Sequence, residues 1–180
     1  MKTIENLTTA FVGESCARNF YDLAAKVANK EGFLRAAKNF EKTAIQENQH
    51  AKWLLRMISQ VGGAEITTIE KTAPKISNTI ENLKNAISGE NFEYEKMYPE
   101  FAKIAQQEGF PEISERLLAI AEAEKNHERR FLEILEKVEQ GENGNFWECQ
   151  KCGYFHTGEN PPEKCPSCDH PQNWFFGSKK

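Results

Sequence analysis

Two Glu-x-x-His pairs are the residues of this sequence whose types and spacing best suit metal chemistry. Glu47 and His50 form one pair, and Glu124 and His127 form the other. On a helix, side chains three residues apart share one face, so each pair presents a carboxylate and an imidazole to the same side. Oxygen donors combined with imidazoles suit iron or manganese better than a metal that prefers thiolates. The pairs therefore predict an iron or manganese site built on helices.

The two pairs are related by an internal repeat. The offset that carries Glu47 onto Glu124 also carries Glu31-Gly32-Phe33 onto Glu108-Gly109-Phe110. Upstream, Gly13-Glu14 matches Gly89-Glu90 at an offset that is shorter by a single position. Each repeat has the pattern of two helices joined by a turn, in which the turn glycine ends the first helix. The chain up to about residue 140 is therefore expected to form two helical hairpins.

Four apolar stripes, with residues three and four apart, mark the inward faces of these helices. The stripes run from Leu7 to Ala28, from Ala36 to Val61, from Ile76 to Ile104 and from Ile113 to Val138. Each stripe contains one glutamate near its middle, and these are Glu14, Glu47, Glu90 and Glu124. Their separations from the turn glycines place the four carboxylates near one level of a bundle, to within about 5 Å.

Four buried carboxylates at one level repel each other and lose hydration unless cations lie between them. One glutamate from each of two helices, plus a Glu-x-x-His pair from each of the other two, is the ligand set of a carboxylate-bridged dimetal centre. The alternative is that all four glutamates are exposed and that the stripes are wrongly assigned. Their repeat-related positions favour the dimetal centre.

The repeat is broken three residues after Glu90, where Glu93 stands and the first half has Ala17. Glu93 is either a solvated helix residue or a fifth carboxylate that makes the two metals unequal.

Three tyrosines and one cysteine lie near the predicted metal level. Tyr21 and Tyr94 fall on the inward stripes, and Tyr98 follows Glu90 by about two turns. Core packing is the expected role of each tyrosine, and a hydrogen bond to a ligand carboxylate is the alternative. Cys16 is expected to face away from the metals as a small buried residue.

Length and charge exclude several classes of protein. The chain has 180 residues, 23 lysines and arginines against 27 acidic residues, and a formal net charge of −4. It has no basic stripe to neutralise phosphates, which argues against nucleic-acid binding. It also lacks an apolar run of about 20 residues for a membrane span and an apolar core for a signal peptide. A cytoplasmic location is therefore expected, with the thiols interpreted as metal ligands before disulfides.

The last part of the chain, residues 145–180, has a different composition and follows a Gly/Asn-rich linker at residues 141–145. It contains two Cys-x-x-Cys knuckles separated by 12 residues, formed by Cys149, Cys152, Cys165 and Cys168. Four thiolates at this spacing predict a closed tetrahedral metal site, which so short a segment needs in order to fold. Zinc and iron both remain open, and a neighbouring redox centre favours iron. His156 and His170 are expected to be exposed loop residues, because the tetrahedron is already filled.

Taken together, these motifs resemble the rubrerythrin family over nearly the whole chain. The segments that carry the resemblance are Gly13-Glu14-Ser15-Cys16-Ala17-Arg18, Glu47-x-x-His50-Ala51, Gly89-Glu90-Asn91-Phe92-Glu93-Tyr94-x-x-Met97-Tyr98-Pro99, Glu124-x-x-His127 and the paired cysteine knuckles. The family has a commonly polar residue where this chain has Cys16, which adds an oxidisable thiol without removing a ligand.

The resemblance implies a mainly α fold. Residues 1–141 would form a ferritin-like four-helix bundle with a long crossover at residues 62–75, and residues 145–180 would form a rubredoxin-like domain. The implied cofactors are two irons, bridged by oxo and carboxylate groups, and one iron held by the four cysteines. The implied di-iron ligands, which are also the catalytic residues, are Glu14, Glu47, Glu90, Glu93, Glu124 and His127, together with His50, which would exchange with Glu93 as the redox state changes.

The family's activity is the reduction of hydrogen peroxide to water in oxidative-stress defence, with electrons entering through the rubredoxin-like iron. The partners implied are hydrogen peroxide, an electron-donating reductase or rubredoxin, and a second copy, since the usual homodimer places one subunit's rubredoxin domain near the other's di-iron site. Two alternatives remain open: a ferroxidase or iron-storage bundle with a structural tetrathiolate metal site, and a non-redox structural zinc protein.

Overall fold

The computed structural model describes residues 1–63, 72, 74–141 and 146–178. The expected crossover falls largely on residues 64–71 and 73, and the expected Gly/Asn linker on residues 142–145, so both lie mostly outside the described residues. None of the helices in the described ranges combines the length and apolar character needed to cross a bilayer.

The described elements are helices in the first part of the chain and short strands in the last. The helical elements are α1 (Lys2–Glu31), α2 (Leu34–Gln60), α3 (Thr79–Phe92), a π-helical turn (Glu93–Met97), α4 (Tyr98–Gln107) and α5 (Pro111–Glu139). The strands are β1 (Phe146–Cys149), β2 (Phe155–Thr157) and β3 (Phe175–Ser178), with a 3₁₀ turn at Gln172–Trp174. Helix α1 packs along α2, and α3 and α4 pack along α5, so the two expected hairpins are present.

Glycines end the first helix of each hairpin in the left-handed conformation. Gly32 and Gly109 both have φ 86°, which costs little without a Cβ atom. The next backbone N–H groups, of Phe33 and Phe110, bond back to carbonyls five residues earlier at 2.8 Å and close the turn. The repeated Gly-Phe pair is therefore the hairpin turn that the sequence predicted.

The glutamate of each repeated turn has a second role, which the sequence interpretation missed. Glu31 Oε2 accepts hydrogen bonds from the Thr79 backbone N–H (2.9 Å) and Thr79 Oγ1 (2.7 Å) at the start of α3. Glu108 accepts from the backbone N–H groups of Lys2 (3.0 Å) and Thr3 (2.9 Å) at the start of α1. Each carboxylate thus caps the first helix of the other hairpin, where free N–H groups and the helix dipole favour an anion.

Two apolar cores lie on either side of the level of the four stripe glutamates. One core is centred on Phe20, Phe40, Leu83 and Phe131, and the other on Leu7, Leu54, Tyr98 and Leu117. The inward stripes predicted for α1, α2 and α5 coincide with these cores.

The third stripe is only partly correct, because the helix that carries it is not regular. Ile76 precedes the helix, which begins at Thr79 after Asn78 caps the Glu81 N–H at 3.0 Å. The π turn at Glu93–Met97 then adds a residue to the helix and rotates the buried face. Beyond it Tyr98, Ala102 and Ala105 are buried, whereas Phe101 and Ile104 of the predicted stripe are only partly buried. Tyr94, within the turn, is also only partly buried.

The C-terminal strands form a three-stranded antiparallel sheet in the order β2-β1-β3. Trp147 packs with Phe175 and the buried cysteines Cys149 and Cys165. Gly177 must be glycine, because a Cβ atom there would lie 2.6 Å from the Trp147 ring. The sheet contacts the helical part where the Arg35 guanidinium lies over the Phe155 ring, 5.4 Å from its centroid.

Candidate metal centres

The four stripe glutamates converge in the interior from four separate helical segments. Glu14 and Glu124 have no exposed surface, and Glu47 and Glu90 are each 1% exposed. The two histidines of the Glu-x-x-His pairs join them: His127 is buried, and the His50 side chain is 14% exposed. Their burial agrees with the expectation that these side chains point inward.

Glu47 and Glu124 each lie between the two imidazoles. The Nδ1 atom of His50 is 3.0 Å from Glu47 Oε2 and 2.8 Å from Glu124 Oε1. The Nδ1 atom of His127 is 2.9 Å from Glu47 Oε1 and 2.8 Å from Glu124 Oε2. Each of these carboxylates therefore turns one oxygen toward each histidine, the arrangement expected of carboxylates that bridge two ions.

The donor atoms fall into two sets that share Glu47 and Glu124. Glu14 and His50 complete one set, and Glu90 and His127 complete the other. Within each set the donor atoms all lie within 4.8 Å of one another. The geometry thus describes two adjacent four-donor positions joined by two shared carboxylates.

The hydrogen bonding of the cluster fits a pair of cations. Buried atoms without a hydrogen bond of acceptable geometry include Glu14 Oε2, Glu47 Oε1, Glu90 Oε2, both carboxylate oxygens of Glu124 and His127 Nδ1. Such orphaned buried donors and acceptors are costly in a folded protein. Metal ions between them would satisfy all of these atoms at once, so the residues present suit a pair of metal ions.

The protonation of the cluster also reflects crowding of charge. Burial raises the pKa of Glu14 well above its usual value, and burial together with the charge of Glu47 raises the pKa of Glu90 to about 8. Burial alone would lower the pKa of His50, but hydrogen bonds with Glu124 and Glu47 raise it to about 10. Without metal, the cluster therefore retains protons in place of cations.

Two tyrosines donate to the carboxylates that are not shared. Tyr21 Oη donates to Glu90 Oε1 at 2.5 Å, and Tyr98 Oη donates to Glu14 Oε1. Core packing was the expected role, so the alternative is the correct one for both. The sequence did contain a signal that the two tyrosines have related roles, because the repeat offset that carries Glu47 onto Glu124 also carries Tyr21 onto Tyr98.

Tyr94, Glu93 and Cys16 lie outside the two donor sets. Tyr94 is only partly buried, and its hydroxyl accepts a hydrogen bond from Asn91 at 3.2 Å. Glu93 is half-buried at the start of the π turn, and its charge contributes to the raised pKa of Glu14. Cys16 lines an outward apolar groove beside Phe20, which agrees with the expectation that it faces away, but it is half-buried and not buried as expected.

Arg130 is a cation near the cluster that sequence reasoning did not identify. Its Nη2 atom donates to Gln46 Oε1 at 2.8 Å, and Gln46 directly precedes Glu47 on α2. The internal repeat gave no signal for this pair, because its sequence counterparts are Trp53 for Arg130 and Ala123 for Gln46, which cannot form the same contact.

The four cysteines of the two knuckles come together as the spacing predicted. Their sulfurs all lie within 4.8 Å of one another, with Cys149 and Cys168 3.6 Å apart, as are Cys152 and Cys165. A backbone N–H from Tyr154 to the Cys152 sulfur lowers the pKa of Cys152 to about 6. Four converging thiols, one of them biased toward the thiolate, suit a tetrahedral metal ion.

The expectation that His156 and His170 are exposed loop residues is wrong for His156 and only partly correct for His170, which lies in a loop but is not exposed. His156 lies in strand β2 and is half-buried. His170 is half-buried, with Nδ1 2.9 Å from the Cys168 carbonyl oxygen and its ring edge-on to Trp174. Neither joins the four-cysteine set, as expected.

Comparison with known proteins identifies the family. The family model described as Rubrerythrin matches residues 5–135, and the model described as the rubredoxin-like domain of rubrerythrin matches residues 147–176. The chain belongs to the rubrerythrin family. It is 45% identical to a putative rubrerythrin of Methanocaldococcus jannaschii, over 97% of this chain and 91% of that protein. It is 41% identical to a rubrerythrin of Nitratidesulfovibrio vulgaris, over 97% of this chain and 93% of that protein.

Solved structures agree with this assignment. A structure of nigerythrin in the fully reduced, all-ferrous state matches with a TM-score of 0.69 and 33% identity, over 98% of this chain and 86% of that one. The expected fold, a ferritin-like helical domain followed by a rubredoxin-like domain, is thereby confirmed. The cofactors of this rubrerythrin-family chain are a di-iron centre in the helical domain and a rubredoxin-like iron in the four-cysteine domain.

Proposed function

We propose that the chain is a peroxidase that reduces hydrogen peroxide to water, with electrons delivered through its four-cysteine domain, in defence against oxidative stress. Its family supports an oxidoreductase role. The observation that carries the finer proposal is the presence, in one chain, of a two-position carboxylate and imidazole cluster and a four-thiolate cluster. A storage bundle needs no thiolate-bound redox centre.

The proposed ligands follow from the two donor sets. Glu14 and His50 would hold one iron, Glu90 and His127 would hold the other, and Glu47 and Glu124, which belong to both donor sets, would be shared between them. Cys149, Cys152, Cys165 and Cys168 would hold the third iron. The orphaned buried oxygens support this assignment. The domain limits proposed are 1–141 and 145–180, and the two ranges matched by family models lie inside them.

When bound, the iron pair supplies Lewis acidity and two electrons in one place, which suits two-electron cleavage of the O–O bond. The shared carboxylates set the spacing of the two positions, and the tyrosine hydroxyls orient the carboxylates of Glu14 and Glu90. The buried shell excludes bulk water, and His50 is the most exposed of the six donors. Peroxide therefore reaches the cluster from the His50 side.

Glu93 completes the proposed site as an alternative ligand to His50. An anionic carboxylate in place of a neutral imidazole would compensate the additional positive charge of an oxidised metal pair. Its place close to the cluster supports this role, because the charge of Glu93 contributes to the raised pKa values of Glu14, Tyr21 and Tyr98.

The position of the four-cysteine domain favours electron delivery between two copies in a homodimer. Within one chain this domain contacts α2 at Arg35, near the hairpin turn. Glu47 lies 12 residues further along α2, about 18 Å of helix away. A reductase or a rubredoxin is the proposed external donor, and a reducing compartment such as the cytoplasm suits the free thiols.

Anaerobic stopped-flow mixing tests this function. The diferrous protein is mixed with hydrogen peroxide or with oxygen, and oxidation of the iron pair is followed by absorbance. We expect peroxide to react much faster than oxygen at equal concentration, with all peroxide recovered as water. Faster oxidation by oxygen, together with iron uptake beyond two ions per helical domain, would instead identify a ferroxidase.

A further inference from the structure

Arg130 is a fixed, partly desolvated cation one turn after His127 on α5. Its Nη2–H donates to Gln46 Oε1 at 2.8 Å, which ties α5 to α2 beside Glu47. The guanidinium is half-buried, and its Nε atom is buried without a hydrogen-bond partner. Arginine remains charged in such surroundings, so its positive charge persists whatever the cluster contains.

Arg130 lies three residues after His127 on α5, so the two side chains share one face of that helix. Burial lowers the pKa of Arg130, and the strongest opposing effect comes from the carboxylate of Glu90, followed by that of Glu47. Glu90 belongs to the donor set of His127 and not to the set of His50. Arg130 is therefore associated with the position formed by Glu90 and His127.

The internal repeat does not reproduce this cation at the other end. The repeat places Trp53 opposite Arg130 and Ala123 opposite Gln46, and neither of these counterparts carries a charge. Glu93 does not distinguish the two ends, because its charge contributes to the raised pKa of Glu14 and also to that of Tyr21, which donates to Glu90. The two metal positions thus have similar donors, but the Glu90–His127 position has a neighbouring cation that the repeat does not reproduce at the other position.

We propose that Arg130, anchored by Gln46, is a positioning residue whose fixed charge makes the Glu90–His127 position the weaker cation site and the more easily reduced one. A fixed positive charge disfavours added positive charge nearby, and it does so more strongly where water is excluded. It therefore weakens the binding of a divalent ion and favours the ferrous over the ferric state. This inference rests on the ligand set proposed above.

A redox titration of the iron-loaded full chain tests the inference. The variant Arg130→Gln removes the charge, and Arg130→Lys keeps the charge but replaces the planar guanidinium by an ammonium group. Arg129→Gln is the matched control, because Arg129 is the adjacent arginine and its partner Glu133, 2.7 Å away, is exposed. The iron of the four-cysteine site serves as an internal reference, since its potential should be equal in all variants.

We expect Arg130→Gln to shift the midpoint potential of the iron pair to a more negative value. Arg130→Lys should keep most of the original potential, and Arg129→Gln should be indistinguishable from the unmodified chain. Equal potentials in Arg130→Gln and the unmodified chain would overturn the inference, as would an equal shift in Arg129→Gln. If Arg130→Gln fails to fold, Gln46→Ala removes the anchor and keeps both arginines; it should produce a smaller shift of the same sign, and no shift would overturn the inference.

A metal titration gives a second readout that does not depend on turnover. Co²⁺ is added anaerobically to the chain after iron is removed from the helical domain, and carboxylate-bound cobalt is followed by its visible absorption. The unmodified chain should bind two equivalents with unequal affinity. Arg130→Gln should bind the weaker equivalent on the order of tenfold more tightly, and unchanged affinity would contradict the inference. Failure of the unmodified chain to bind two equivalents would instead overturn the ligand set itself.

Discussion

At the scale of single residues, the cluster separates its four glutamates into two kinds. Glu47 and Glu124 place one oxygen near each imidazole, whereas Glu14 and Glu90 each accept a hydrogen bond from a buried tyrosine. The tyrosine hydroxyl occupies one carboxylate oxygen and leaves the other for a metal. The buried tyrosines therefore set the geometry of the two unshared ligands.

Replacement of Tyr98 by phenylalanine tests this role. The change removes the hydroxyl that bonds to Glu14 without changing the volume of the ring, so we expect metal affinity to fall about 10- to 100-fold. Tyr94→Phe is the control, because the Tyr94 hydroxyl bonds to Asn91 at the surface. Affinity is measured by competition with a chelator, and equal affinities for the two variants would contradict the proposed role.

Replacement of Glu93 by alanine tests the proposed ligand exchange. Glu93 is outside both donor sets, so the variant should fold and bind two irons in the helical domain. Peroxide turnover should nevertheless fall, because the oxidised pair loses its compensating carboxylate. Rapid-mixing kinetics check this expectation, and unchanged turnover would show that Glu93 is a solvated helix residue.

Residue spacing predicted the cluster glutamates, histidines and cysteines because each lies at a regular interval along one helix face or within a Cys-x-x-Cys knuckle. The partners of these residues were less accessible to sequence reasoning. Tyr21 and Tyr98 reach carboxylates of the opposite hairpin, and Arg130 reaches Gln46 on another helix. Such contacts depend on how helices pack together, which periodicity along one helix does not contain.

At the scale of elements, the two hairpins stabilise each other through reciprocal caps. Glu31 and Glu108 are related by the repeat, and each bonds to the first turn of a helix in the other hairpin. The Glu-Gly-Phe segment thus ends one helix with its glycine and begins another with its glutamate.

The variants Glu31→Gln and Glu108→Gln should lower the midpoint of thermal unfolding, and their effects should add because the two caps are at separate helix starts. Glu115→Gln, an exposed change elsewhere on α5, is the control. Hydrogen bonds from Thr3 lower the pKa of Glu108 in the folded chain. The stabilisation by Glu108 is therefore complete above the pKa that Glu108 has in the unfolded chain, and it is lost as the pH falls through the lower pKa of the folded chain. Equal unfolding midpoints for all three variants at neutral pH would contradict the capping role.

The π turn explains the part of the fold that helix periodicity did not predict. Glu14 is carried onto Glu90 by an offset that is one position shorter than the offset that carries Tyr21 onto Tyr98, so an additional residue lies between Glu90 and Tyr98. The turn at Glu93–Met97 accommodates that residue and brings Tyr98 into the core. The change of offset is visible in the sequence, but a regular helical stripe assumes a constant number of residues per turn and so does not accommodate the additional residue.

At the scale of the whole molecule, metal binding is coupled to proton release. The metal-free cluster retains protons, since the pKa of Glu90 is about 8 and that of His50 about 10. Metal ions must displace these protons, so the apparent affinity for metal should rise with pH between about 6 and 8. A pH indicator in weak buffer should record acid release when Fe²⁺ is added anaerobically, and no release would show that the cluster is already deprotonated.

We propose that the buried carboxylates and imidazoles hold two irons, separately from the iron of the four cysteines. Iron analysis of the unmodified chain and of a Glu47→Ala, Glu124→Ala variant, each loaded anaerobically, tests it most directly. We expect about three irons per chain, falling to about one in the variant, with the thiolate-to-iron absorption retained. Two irons retained by the helical domain after both shared carboxylates are removed would contradict it.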